Sequence, residues 1–176
     1  ETKRLITECM IKPFADVREQ LDFALHEALK LIESQYGYIY LYDESSREFT
    51  INSWTKGVMP DCDITEAQKK YQLEMTGIWG EAVRQRKPVI VNDFKAPNPL
   101  KKGYPEGHVL LRKFMTIPIF DNDHIVAVVG FANKEFDYTD NDVEVMTILM
   151  SGVWIAAMRK EKEKETELLL ERLQSM

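Results

Sequence analysis

Residues Gly103–Lys134 read GYPEGHVLLRKFMTIPIFDNDHIVAVVGFANK. Two apolar runs, Phe114–Phe120 and Ile125–Phe131, are joined by Asp121, Asn122, Asp123 and His124. The runs are rich in β-branched and aromatic residues and the connector is polar and turn-prone, which is the sequence form of a buried antiparallel hairpin. Just upstream, Tyr104, Pro105, Glu106, Gly107 and His108 form a polar loop that holds one of three histidines. A sheet floor with a polar loop beside it is a common way to build a small-molecule pocket.

Working outward, Val17, Leu21, Ala24, Leu25, Ala28, Leu29 and Ile32 recur at helical spacing, so the pattern predicts an amphipathic helix over Phe14–Ser34, opened by Pro13 and followed by Gly37. Leu5, Ile6, Cys9 and Met10 predict a separate lead-in helix. Tyr38–Tyr42 alternates tyrosine with Ile39 and Leu41, a strand with two usable faces. Asp43–Arg47 reads as a turn and Glu48–Trp54 as the return strand. Thr55–Lys70 has no clean period, with a short helix expected over Thr65–Tyr71. Gly77–Arg86 is read as helical, Val89–Val91 as a short strand, and Phe94–Gly107 as a long loop of the kind that often carries function. Thr139 and Asp140 supply a cap for a final helix whose core stripe is Val143, Met146, Met150, Val153 and Ala157. That stripe gives way to charge through Arg159–Glu167, and apolar residues return at Leu168, Leu169, Leu173 and Met176. A helix of this length, about 50 Å, projects past one small domain and suits pairing with a second copy, the other reading being a core helix followed by a frayed charged tail. The sum is an α+β fold: a central antiparallel sheet of five to six strands flanked by helices, with a long C-terminal helix.

Composition narrows the function classes. The chain has 176 residues, enough for one domain plus extensions, and its net charge of −6 argues against a nucleic-acid surface. No apolar run approaches the ~20 residues that span a bilayer, so no direct membrane contact is expected. Two cysteines, Cys9 and Cys62, without regular spacing, suit a reducing, cytoplasmic setting. The start at Glu1 and the helical pattern at Met176 lead us to expect a piece of a longer cytoplasmic protein. The expected division is a lead-in helix or linker over 1–12, the domain over 13–158, and a charged helical linker over 159–176 toward an output domain.

This order of elements resembles a GAF domain, the small-molecule and light-sensing module of signalling proteins. The resemblance rests on Tyr36–Asp43, on Gly77–Gly80 followed by Arg86–Asp93, and on Phe114–Pro118 with Val126–Lys134. Pro105–His108 and the Asn133, Lys134, Tyr138 and Asp142 tail are similar to GAF domains of bacterial sensors, set among PAS, histidine kinase (two-component) or diguanylate cyclase domains. The resemblance implies a non-enzymatic sensory module that binds an unidentified small ligand and relays the signal through the flanking helices of a homodimer.

Candidate ligand-binding residues are Trp54, Cys62, Trp79, Asn92, Asp93, Phe94, His108 and Arg112. Trp54, Trp79, Phe94, Met75 and Met115 are candidates to line an apolar cavity, where aromatic and Met side chains make adaptable walls. Asn92 and Asp93 would offer polar contacts, and Arg112 would pair with an anionic ligand. His108 stands six residues before Phe114. In haem-binding GAF sensors a histidine at that offset is the iron ligand, so the resemblance carries an alternative: a haem-dependent gas or redox sensor with His108 as the axial donor. The tyrosine that those sensors place on the fifth strand corresponds to Gly130 here. Cys62 is the residue a sulfoxide-reducing or bilin-attaching relative would need as a thiolate, with Cys9 poorly placed as its partner. Asp121, Asp123 and His124 are read as a solvated turn, and no metal is expected there. Lys134 and Asp142 resemble an internal ion pair of the cyclic-nucleotide GAF domains, which implies a structural contact between them.

Overall fold

The structure is a computed structural model and describes residues 1–55, 70–102 and 110–176. Helices α1 (Thr2–Ile11) and α2 (Val17–Ile32) lead into strands β1 (Tyr36–Asp43), β2 (Glu48–Trp54) and β3 (Lys70–Gln72). Two 3₁₀ turns (Leu73–Met75 and Ile78–Gly80) and the short helix α3 (Glu81–Arg84) follow, then β4 (Val89–Val91), β5 (Phe114–Asp121), β6 (His124–Ala132) and α4 (Asp140–Gln174). The strands form one antiparallel sheet in the order β3-β2-β1-β6-β5-β4.

The period-2 alternation of the strands sorts the core into two sides. Ile39, Met115, Ile117, Ile119, Ala127, Val129 and Phe131 face the helices and pack with Leu5, Cys9, Leu25, Ala28, Met146, Met150 and Val153. Tyr38, Tyr40 and Tyr42 point the other way, with Phe49, Val128 and Phe114, under the segment from Leu73 to Val83. This is why β5 is buried at six consecutive positions and reads as a continuous apolar run rather than an alternating one.

Several boundaries differ from the sequence reading, each for a local reason. Helix α2 starts at Val17 rather than at Phe14, because the Asp16 carboxylate accepts the Glu19 N–H at 2.9 Å and caps the helix three residues after Pro13. It ends on Glu33 in a left-handed conformation, and Gly37 lies inside β1, where a Cβ would stand 3.0 Å from Leu25 and 3.1 Å from Leu29 of α2. Lys70 and Tyr71, expected within a short helix, belong to an edge strand paired with Glu48–Thr50; tertiary pairing outweighs local helical preference here. Residues 65–69 of that expectation lie outside the described residues. Gly77–Arg86 is one 3₁₀ turn and one turn of α-helix rather than a single helix.

The last helix is 35 residues long, or about 52 Å. Thr139 and Asp142 form a reciprocal capping box at its start. Helix α1 docks beside it: Ile6 fills the notch at Gly152, where a Cβ would meet its Cδ1 at 3.0 Å. Lys160 of α4 donates to the carbonyls of Cys9 (3.1 Å) and Lys12 (2.9 Å), and buried Gln20 donates to Cys9 O at 2.7 Å. These bonds satisfy the Cys9 carbonyl, one of the last four of α1, and that of the C-cap Lys12, which helix hydrogen bonding leaves open.

Candidate functional site

The side of the sheet turned away from the helices carries the candidate site. Trp79 sits over it, stacked on Tyr40 at 4.8 Å between ring centroids and packed on Phe49 at 4.9 Å. Tyr71 and Tyr38 meet it edge-on at 5.9 and 6.3 Å. Such offset and edge-on pairs suit the quadrupoles of the rings and add to the burial of their area. Tyr38 continues the aromatic floor to Phe114 (6.4 Å), and Phe94 closes on Phe114 at 6.1 Å.

Two features set the floor geometry. Tyr38 lies across Gly130, its direct partner in the β1–β6 register, and a Cβ on Gly130 would fall 2.2 Å from the Tyr38 ring. From there the phenol donates to the fully buried Thr116 Oγ1 at 3.3 Å. Burial raises the Tyr38 and Tyr40 phenols far above their ordinary range, so both stay neutral hydrogen-bonding groups. The second feature is Arg84, which holds the segment carrying Trp79. Its guanidinium donates to the carbonyls of Leu73 (2.6 Å), Thr76 (2.8 Å) and Gly77 (3.1 Å), to Thr76 Oγ1 (2.9 Å) and to Glu81 Oε1 (2.6 Å). Five planar donors on one side chain make such a knot possible. Gly80 lets the turn close, since a Cβ there would stand 1.9 Å from Thr76 Oγ1.

The candidates read from the sequence fall in different places. Trp79 and Phe94 are part of the aromatic face. Trp54 instead borders a hollow at the start of α2, beside Asp16, Arg18, Asp22 and Asn52. Cys62 and His108 lie outside the described residues. The Asn92 amide is engaged at both ends, accepting from Tyr138 N at 2.8 Å and donating to Tyr138 O at 3.0 Å; it pins the approach to α4. Asp93 is exposed and accepts from the N–H groups of Lys95 and Ala96, an Asx turn. Arg112 is exposed, and its main chain does the joining: its carbonyl accepts from Phe94 N and its N–H donates to Asn133 Oδ1. Met75 is 77% exposed, and Met115 faces the helices, so neither lines the aromatic face. Lys134 Nζ sits 2.8 Å from Asp142 Oδ1, both side chains nearly buried.

Tyr38, Tyr40, Phe49, Tyr71 and Arg84 were not among the sequence candidates. The alternating tyrosines of β1 were visible as a pattern, but which side faces the helices was not. Arg84 binds backbone carbonyls, which leave no mark in a sequence. Lys101 is similar: its ammonium lies 4.4 Å from the Phe94 ring centroid and donates to the carbonyls of Phe94 and Ala96.

A further polar cluster joins the two hairpin turns. Glu44 accepts from Ile125 N (2.8 Å), Arg86 (2.7 Å) and His124 Nδ1 (2.9 Å), and Arg86 donates to Asp123 O. These bonds hold the Glu44 carboxyl down at about 2. His124 is therefore bound into a clasp between two hairpin turns, and no metal-ligand cluster occurs among the described residues. Cys9 is buried and its thiol is pushed up to about 11 by desolvation, which makes it an inert packing residue. No helix of the described residues is long and apolar enough to cross a membrane.

A six-stranded sheet with helices on one side and an aromatic floor under a short-helix segment on the other defines the fold. Residues 15–157 match the family model for the GAF domain, and the chain belongs to that family. It is 46% identical over 150 residues to the methyl sulfide methyltransferase-associated sensor of Methanosarcina acetivorans, a match covering 85% of this chain and about 15% of that protein's length. In fold it is similar to the GAF domain of an Acinetobacter phosphoenolpyruvate-protein phosphotransferase, at 16% identity, with 92% of each chain covered and a TM-score of 0.71. It is also similar to a free methionine-R-sulfoxide reductase from Neisseria meningitidis, at 15% identity, with 90% of this chain and 89% of that one covered and a TM-score of 0.68. One fold thus serves sensors and enzymes, and the residues of the site must separate them.

Proposed function

We propose that this chain is a non-enzymatic sensory module that binds a small, largely apolar ligand at the Tyr38–Phe114–Phe94 end of the aromatic face. The observation that carries the reading is the floor itself. Tyr38, Phe114, Phe94, Ile78 and Trp79 make an apolar wall with one buried phenol–hydroxyl pair, Tyr38 with Thr116. Pockets of that composition hold a ligand by apolar area and orient it with a few polar groups. Sensor function also fits the sensor named among its relatives. In this reading 13–158 is the sensing domain, 1–12 is the incoming helix, and 159–176 leads to an output domain of kinase or cyclase type. The signal passes to α2 and α4 in a homodimer. A switch from 1:99 to 99:1 between two helix arrangements needs a ligand that prefers one of them by about 10⁴-fold. Native mass spectrometry of the purified chain tests the proposal. A co-purified small molecule that is lost in Phe114→Ala supports it; a chain that carries nothing and binds no member of a small-molecule panel overturns it.

A second reading keeps the family alternative of a haem sensor, with His108 as axial donor. It is favoured by the position of Tyr38, whose phenol lies over Gly130 from the neighbouring strand. A phenol thus stands over the position where the haem-binding relatives carry their tyrosine, and an apolar aromatic floor is compatible with a flat macrocycle. Haem would supply the gas- or redox-responsive iron; His108 would hold it, and the Tyr38 hydroxyl would offer a hydrogen bond near it only by giving up Thr116. Reconstitution with hemin decides: a sharp Soret band abolished by His108→Ala is expected, and a spectrum unchanged by that substitution ends the reading.

A further inference from the structure

Away from the aromatic floor, a hollow of about 530 Å³ opens between the first turn of α2 and the end of β2. That volume is within the range of small-molecule sites. None of Tyr38, Phe94, Phe114 and Trp79 lines it. Asn52, which does line it, is only 4% exposed. Its Nδ2 donates to the Arg18 carbonyl at 3.4 Å and to Ser53 Oγ at 3.0 Å. A carbonyl can only accept, so the amide must turn its nitrogen toward Arg18, and this fixes where Oδ1 lies. Oδ1 has no hydrogen-bond partner among the described residues. No side-chain oxygen or nitrogen of those residues is both fully buried and unpartnered, so Oδ1 must reach open space. The open space that Asn52 lines is this hollow. An acceptor so enclosed and left without a donor calls for an explanation.

Arg18 brings the opposite chemistry to the same hollow. Its Nε donates to the Asn52 carbonyl at 3.2 Å, which anchors the guanidinium at the rim. Its two Nη groups have no partner among the described residues. That free edge is the planar fork that grips a carboxylate. Three carboxylates share the rim. Two of them are engaged at the helix start: Asp16 Oδ1 accepts the Glu19 N–H at 2.9 Å, and Glu19 Oε2 accepts the Ala15 N–H at 2.5 Å. Asp22 is freer, with His26 Nδ1 3.6 Å from its Oδ2. Arg18 and Asp22 stand one turn apart on α2, about 6 Å along its axis, yet form no ion pair with each other.

We propose that this hollow binds a small zwitterion of the α-amino-acid type, its carboxylate on Arg18 and its ammonium on Asn52 Oδ1 and Asp22. The charge pattern selects that class. A lone anion would meet three carboxylates around one guanidinium, and a lone cation would stand beside Arg18 and leave its fork empty. A molecule that carries both charges close together is complementary to both halves, and repulsion rejects the others. The ligand would also tie α2 to the sheet, because Arg18 and Asp22 belong to the helix and Asn52 to β2. The site goes beyond the aromatic-face reading and does not depend on it.

Isothermal titration calorimetry of the 176-residue chain with each of the common L-amino acids tests the site, with propionate and ethylamine as the two half-molecules. At least one amino acid is expected to bind, and each half-molecule at least about tenfold more weakly. Loss of a charge-assisted hydrogen bond should weaken that amino acid by about tenfold or more in Arg18→Gln and in Asp22→Asn. The Asp22 side chain is 48% exposed, so Asp22→Asn keeps the fold and decides the matter even where Arg18→Gln lowers stability. Amide chemical-shift changes on binding should centre on Arg18, Asp22 and residues 51–54. Binding by none of the amino acids, an affinity unchanged in Asp22→Asn, equal binding of either half-molecule, or shifts centred on the Tyr38–Phe114 floor would overturn the proposal. A chain that binds an amino acid here and nothing on the aromatic face sinks only the aromatic-face reading.

Discussion

At the scale of single residues, the close approach of Tyr38 to Gly130 does the most to shape the candidate site. The glycine is there for space: its missing Cβ is what lets the phenol reach Thr116 across the sheet. Gly130→Ala is therefore expected to push Tyr38 off the floor and to cost about 1–3 kcal/mol, the range of overpacked cores, in urea unfolding. Tyr38→Phe in the same background should change little further, because the hydroxyl has already lost its partner. Asp142 carries a second residue-scale prediction. It pairs with Lys134 and also accepts the Thr139 N–H that starts α4. Asp142→Ala should destabilise the chain by about 1 kcal/mol more than Lys134→Ala, the usual worth of a helix cap, in the same unfolding assay.

At the scale of elements, the two hairpin turns are joined through Glu44, which reaches from the β1–β2 turn to the start of β6 and to Arg86. Its carboxyl is lowered from an ordinary 4.5 to about 2, first by the Ile125 N–H and then by His124 and Arg86. A carboxyl whose folded value is depressed contributes stability above its unfolded value and loses it as pH falls through the folded one. The difference in stability between wild type and Glu44→Gln should therefore be full at pH 5 and shrink between about pH 4.5 and 2, as read by denaturant midpoints at each pH. An effect that instead grew on acidification would refute the clasp. Helix α1 is tied in by a different device, the Lys160 ammonium on the carbonyls of Cys9 and Lys12. Lys160→Met should raise amide exchange in α1 while leaving the sheet protected, because the helix end loses two acceptor bonds and the core loses none.

At the scale of the whole molecule, two layers of apolar side chains sandwich the sheet, and one long helix carries a face to the outside. Much of this was legible in the sequence. The runs Phe114–Phe120 and Ile125–Phe131, the alternating tyrosines of β1 and the Thr139 cap identify elements by local spacing, and local spacing is what periodicity and capping chemistry encode. Edge strand β3 was not legible, because Lys70–Gln72 becomes a strand only when Glu48–Thr50 is there to pair with it. The leucines beyond Glu167 could be read as apolar but not as exposed, since that requires knowing which residues of α4 pack on the domain. Asn92 was legible as a polar residue ending a strand, yet its amide is taken up by Tyr138, which is 46 residues away. By itself, then, the sequence determined most of the elements, their order and the family, all properties of near neighbours along the chain. The tertiary structure alone decided that Tyr38 covers Gly130, that Arg84 knots the turn holding Trp79 and that Ile148 and Ile155 of α4 stay exposed. Each of these depends on backbone carbonyls, missing Cβ atoms or face assignments, which become physical only when distant segments meet.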